Sequence, residues 1–272
     1  MDRQLRKAIP TPPKQKGLKK YLKWLYILIL AVIYVWAFAG IDYSGIKETA
    51  GQVSKSILNG LFQPDWGYVY LPEGEDLLRG LLETIAIAFL GTIIASIVAF
   101  PLAFIAAANI NRIQSATMGG KFLLSLIRSF PEIIMALLFI TAVGPGSFAG
   151  VLALGIHSIG MLGKLSSEAI ESMDLSAMEA LQATGAGRLQ TIWFAVVPQM
   201  LPEYLSFVLY RFEINVRAAA ILGVIGAGGI GTPLIFALAG RSWDRVGIIL
   251  LGIIVMVIAI DWISGMIRKR LV

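Results

Sequence analysis

The sequence predicts an all-α membrane protein: a bundle of about six transmembrane helices with both termini in the cytoplasm. Three observations carry that expectation. Of the 272 residues 57% are hydrophobic and only 15% are charged, with a mean hydropathy of +0.77, outside the range of a soluble globular domain. Apolar runs long enough to cross a hydrocarbon core of about 30 Å recur along the chain. Basic residues crowd beside the first run and after the last, where loop charge sets orientation. The net charge of +6 therefore reads as topology, and no nucleic-acid partner is expected. The chain has no cysteine and one histidine, His157, which excludes a disulfide framework and the usual thiolate and imidazole zinc sites.

The elements follow in order. Residues 1–20 form a basic cytoplasmic leader, rich in lysine and arginine and interrupted by Pro10, Pro12 and Pro13, with no capacity to build a core. One transmembrane domain, 21–272, follows. Its first span covers roughly 21–40 and also matches a signal peptide, with Ala37-Phe38-Ala39 as a small-residue cleavage site. Cleaved or not, the next span starts outside. The loop at 41–79 faces outward, its acids largely offsetting Lys47, Lys55 and Arg79. Further spans are expected at roughly 80–107, 122–143, 147–164, 202–225 and 246–266. The Arg268-Lys269-Arg270 tail returns the chain to the cytoplasm.

Between the fourth and fifth of these spans lies a polar cytoplasmic loop, about 165–200. Ser176 and Glu179 have capping-box spacing, in which the hydroxyl and the carboxylate reciprocally satisfy free amides, so a short helix is expected to begin at Ser176. Gly185 and Gly187 should end it, since glycine tolerates the left-handed conformation that closes helices. A second helix then places Leu189, Ile192, Trp193, Val196 and Val197 on one apolar face, able to lie on the membrane or on the bundle. Pro198 and Pro202 bracket the start of the fifth span. On spacing alone this is equally an ordinary loop with a capped helix.

Glu179-Ala180, Gly185 six positions after the Glu, and Pro198 thirteen after that Gly resemble the cytoplasmic EAA loop of permease subunits of binding-protein-dependent ABC importers. Leu181 stands in place of the second alanine, and Ala195 and Val197 where the family favours isoleucine and leucine. The stretch Arg211-Phe212-Glu213-Ile214-Asn215-Val216-Arg217 in the fifth span is similar to the permeases of phosphonate-type importers, and the likeness covers roughly 80–270. The resemblance implies a type I ABC importer permease bundle in a bacterial inner membrane. It also implies two copies of the chain forming a pathway, two separate ATPase subunits gripping the EAA loop, and an external binding protein delivering phosphonate, phosphite or hypophosphite. The chain itself should bind no cofactor, ATP and magnesium belonging to the ATPase. Lys164 follows Gly163, but Ser158 and Leu165 occupy the other defining positions of a Walker A loop.

Charges inside the spans need partners or a purpose, because each costs roughly 2.5–3.5 kcal/mol at the bilayer centre. Glu213 and Arg217 are spaced to pair on one helix face, Arg128 and Glu132 likewise in reverse order with Pro131 loosening the helix between them, and Arg211 has no local partner. These residues either line a pathway for an oxyanion or form structural ion pairs. His157 reads as a proton relay or as a hydrogen-bonded polar residue between helices.

Gly226, Gly228, Gly229 and Gly231 match a dinucleotide fingerprint formally, but they end a membrane span and lack a ribose-binding acid at the required distance. Close packing or an irregular turn at the outer gate suits them better. The small residues of Gly146-Ser147-Phe148-Ala149-Gly150 favour a close helix contact. Alternatives within transport are methionine- or betaine-type importers, which share the EAA loop. A channel, or an intramembrane hydrolase built on His157 and Ser158, is the reading from another class, and adjacent helical residues point in different directions.

Overall fold

The structure, a computed structural model, describes residues 17–40, 50–72, 74–111 and 113–271. It divides into two units, Met1–Ser54 and Lys55–Val272. The first holds helix α1 (Gly17–Ala39), which carries no charge from Trp24 onward and is long enough to cross a membrane. Most of the leader, residues 1–16, falls outside the described residues. Helix α2 (Ala50–Phe62) runs across the division between the units.

Every regular element among the second unit's described residues is a helix. Helix α3 (Leu77–Ala106) starts at Asp76, whose carboxylate accepts the Arg79 amide at 2.7 Å and the Leu71 amide at 3.2 Å. Those bonds hold the carboxyl below the usual carboxylate range, the Arg79 amide contributing most. Helix α6 (Ser147–Ser172) packs along α3 through small residues: a Cβ on Gly91 would lie 3.1 Å from the Leu154 Cβ and 3.3 Å from the Gly155 amide nitrogen. In lipid, association rests on such close packing, because chain and solvent are equally apolar. Leu154, Ala88, Val216 and Leu222 fill the core where α3, α6 and α9 (Val197–Val224) meet. Helix α11 (Trp243–Leu271) closes against α9 and α3.

Among the described residues five helices are long and apolar enough to span a membrane, and there are six spans if the bent pair α4 (Gln114–Ser129) and α5 (Glu132–Val143) counts as one. The expected all-helical architecture of about six spans is therefore present, with two corrections to its elements. The third span is not one loosened helix. Phe130 (ψ 123°) and Pro131 (ψ 136°) are both extended, and the halves meet at 82°. Proline lacks the amide that would continue the ladder and disfavours helical geometry in the residue before it, so the helix stops and restarts.

The fifth span differs in the opposite sense. Pro198 and Pro202 lie inside a continuous helical rod from α8 (Arg188–Thr191) through a π turn (Ile192–Val196) into α9. The Val197 amide reaches back to the Ile192 carbonyl, and this widened turn accommodates the missing Pro198 amide. The rotation also divides the expected apolar face: Val196 is buried, Ile192 and Val197 are half-buried, and Leu189 and Trp193 point outward.

Candidate functional site

Chemistry-bearing residues gather at three levels. At one end of the bundle α7 (Ser176–Ala183) has no buried residue, and its Met178 is half-buried against the cluster that holds Ile110, Ile170 and Val196. The expected capping box is not formed. Leu175 is already helical in its backbone, and the Ser176 hydroxyl and amide both donate to Asp174, the amide at 3.0 Å. The helix begins at Ser176 as expected, but the side-chain acceptor at its start is Asp174 and not the Ser176 hydroxyl. Donation from the Ser176 hydroxyl, then from its amide, lowers the Asp174 pKa.

Gly185 closes α7 in the left-handed region, φ 82°, with the Ala186 amide donating to the Leu181 carbonyl at 3.1 Å. Gly187 is not left-handed: its φ is −67°, and its amide donates to the Gln190 side chain at 2.8 Å at the start of α8. Glu179 and Ala180 are exposed on α7, and Pro198 is exposed near the start of α9. A groove of about 520 Å³ separates α7 from the turn after α3, lined by Asn109, Ile110, Met178, Gln182, Arg188 and Ile192. Arg188 spans it, donating to the Ile110 carbonyl at 2.8 Å. Asn109 donates to the Ile170 carbonyl at 2.6 Å, tying the same turn to α6.

Midway along the spans lies a buried polar chain. Arg211 on α9 donates through Nε to Ser158 Oγ on α6 at 2.8 Å and through Nη1 to Met161 Sδ at 3.2 Å. Asn215 donates to Ser158 Oγ at 3.0 Å and to Thr92 Oγ1 on α3 at 2.8 Å. Glu132, the first residue of α5, faces Arg211 Nη2 at 3.6 Å and His157 Nε2 at 4.0 Å. The two intrahelical pairs expected from spacing are absent. The break at Pro131 removes the helical geometry that would bring Arg128 to Glu132, and Glu132 turns to Arg211. Glu213 pairs with Arg268, while Arg217 pairs with Asp261 at 3.3 Å, both partners on α11. Arg217 Nε reaches only the backbone carbonyl of Glu213, at 3.3 Å.

Asp261 was detectable in the sequence as a charge within the sixth apolar run. Thr92 carried no such signal, because small polar residues are ordinary in membrane helices, while Ser158 stood out only beside His157 and Asn215 only within the stretch 211–217.

At the opposite end of the bundle Gly226, Gly228 and Gly229 are all left-handed, with φ of 97°, 81° and 74°, so the chain turns sharply between α9 and α10 (Gly231–Ala239). Thr84 on α3 accepts the Ile230 amide at 2.8 Å, and the Gly146 amide donates to the Gly226 carbonyl at 2.8 Å. The small-residue stretch at 146–150 fits against this turn: a Cβ on Gly150 would sit 2.6 Å from the Ala227 carbonyl oxygen. Beside it opens a cavity of about 440 Å³ lined by Arg79, Glu83, Pro145, Gly228, Thr232 and Phe236. Among the described residues no group of three or more His, Cys, Asp or Glu is placed to hold a metal ion.

Comparison with known proteins adds sequence and fold relationships. Residues 99–272 match the family described as binding-protein-dependent transport system inner membrane component. The phosphite transport system permease protein of Stutzerimonas stutzeri is 42% identical over 258 residues, 91% of this chain and 90% of that one. The phosphate-import permease protein of Mycolicibacterium smegmatis is 38% identical over 199 residues, 73% of this chain and 37% of that one. An inward-facing methionine ABC transporter superposes with a TM-score of 0.62 over 72% of this chain and 96% of its own, at 20% identity, a likeness of fold.

Proposed function

Because the chain belongs to the family of binding-protein-dependent transport system inner membrane components, we propose that it is the permease subunit of an ATP-driven importer, forming the membrane pathway for a phosphorus oxyanion such as phosphite or a phosphonate. The observation that carries the substrate class is the 42% identity to a phosphite permease across nine-tenths of both chains. The methionine transporter shares the fold at 20% identity, which favours the phosphorus reading over a methionine- or betaine-type solute. The protein is a multi-pass membrane subunit of a transport system.

In this reading ATP and magnesium are bound by two partner ATPase subunits, and α7 docks on them through Glu179, Ala180 and the turn at Gly185. Closure of the ATPases would push α7, and Arg188 and Asn109 connect that loop to the turn after α3 and to the end of α6. A second copy of the chain completes the pathway. Supporting it, Arg217 and Asp261 are each nearly half exposed in this protomer although both lie within membrane-spanning helices. Facing lipid would be costly for such charges, so protein or a water-filled passage should cover them. Gly226, Gly228, Gly229 and Gly231 then shape the outer gate, where an external binding protein delivers its ligand across a bacterial inner membrane.

The test is ATP hydrolysis by the purified complex in vesicles with its binding protein. Phosphite or methylphosphonate should stimulate hydrolysis severalfold. Stimulation by methionine or betaine alone would reject the phosphorus reading, and the lack of any co-purifying ATPase would reject the importer.

A further inference from the structure

The break between α4 and α5 brings together a free helix start and a buried arginine with an unused donor. Helix α5 has 12 residues and begins midway through the bent span, capped by Pro131, which supplies no side-chain hydrogen bond. The amides of Ile134 and Met135 return to the Pro131 carbonyl, at 3.0 and 3.2 Å. Those of Glu132 and Ile133 have no such partner among the described residues. A helix start of this kind favours negative charge.

Against it stands Arg211, its side chain only 4% exposed. Ser158 and Met161 fix Nε and Nη1, leaving Nη2 buried, without a hydrogen bond, and 3.6 Å from one Glu132 carboxylate oxygen. His157 Nε2 approaches the same oxygen at 4.0 Å, and its Nδ1 is buried without a partner. Glu132 is 30% exposed, so its carboxylate lies on the surface side of the buried guanidinium. One turn before the break, Arg128 is exposed, and its side chain makes no ion pair among the described residues.

We propose that this break is an oxyanion site whose resident occupant is the Glu132 carboxylate, and that a phosphorus oxyanion displaces that carboxylate from Arg211 as it crosses the membrane. The inference rests on the importer reading and goes beyond it by assigning the site. A carboxylate satisfies the buried cation when no substrate is present, as an intramembrane arginine requires. It meets Nη2 only loosely, whereas a tetrahedral oxyanion brings several acceptor oxygens to the planar guanidinium fork. Arg128 offers the arriving anion a first cation. Competition from Glu132 keeps binding weak, and a transported ion must leave as readily as it enters.

The test uses the reconstituted complex. Glu132→Gln removes the competing charge at nearly constant size, so retention of radiolabelled phosphite by the complex without its binding protein should rise about tenfold or more, which corresponds to 1.4 kcal/mol or more. The double variant Glu132→Gln with Arg211→Gln should retain none. In the wild type, phosphite should accelerate modification of Glu132 by a hydrophobic carbodiimide several-fold, and sulfate should do so less. This second measurement decides the matter if the Gln variant fails to assemble. Wild-type vesicles that take up phosphite or methylphosphonate, paired with carbodiimide labelling that phosphite leaves unchanged, would overturn the site alone. Wild-type vesicles that take up neither compound would overturn the importer reading and the proposal with it.

Discussion

Asp174 sets the start of α7 by accepting two hydrogen bonds from Ser176, one from the amide and one from the hydroxyl. Its pKa is lowered in the folded state, so the stabilisation is fully present above the ordinary carboxylate pKa and is lost as pH falls through the lowered value. Amide exchange at 176–180 should therefore quicken at acidic pH before exchange in α6 does, and Asp174→Asn should flatten that dependence. Glu179, exposed on the same helix, has a different role in the proposed coupling. Glu179→Ala should leave membrane insertion intact and cut substrate-stimulated ATP hydrolysis by tenfold or more in vesicles; normal coupling would remove α7 from the ATPase contact. Arg211 shows what spacing misses, since its partners Ser158, Met161 and Glu132 lie 50 or more positions away in sequence or beyond a helix break.

At the scale of elements, two prolines with similar local chemistry have opposite outcomes. Pro131 ends one helix and starts another at 82°, while Pro198 is absorbed by a π turn within a continuous rod. The difference lies in what precedes each: an extended Phe130 in one case and a turn wide enough to skip a donor in the other. Close packing at α6 gives a direct test. A Cβ on Gly160 would come 2.9 Å from the Arg128 amide nitrogen and from the Leu124 carbonyl oxygen, both backbone atoms that cannot swing aside. Gly160→Ala should destabilise the fold by about 1–3 kcal/mol, read as a lower Tm in detergent. Gly119→Ala on α4, where nothing lies within 4 Å, should be neutral or raise the Tm through helix propensity.

For the whole molecule, the polar residues occupy three levels: α7 and its groove at one end, the Arg211 chain midway through the spans, and the glycine turn at the other end. An importer needs such a division, with force applied at one end, a ligand passing through the middle and delivery at the other. Stimulation of ATP hydrolysis by phosphite belongs to this scale, because no single residue of this chain performs it. The sequence by itself determined the helical class and located the apolar runs, since hydropathy acts locally and needs no knowledge of neighbours. It also made the loop residues Glu179, Gly185 and Pro198 visible, because they stand out in a polar segment between oily runs. Only the tertiary structure decided which charges pair. Glu132 with Arg211, Glu213 with Arg268, and Arg217 with Asp261 all join different helices. Such partners follow from how helices rotate and cross, and small-residue contacts far from the charges set those angles.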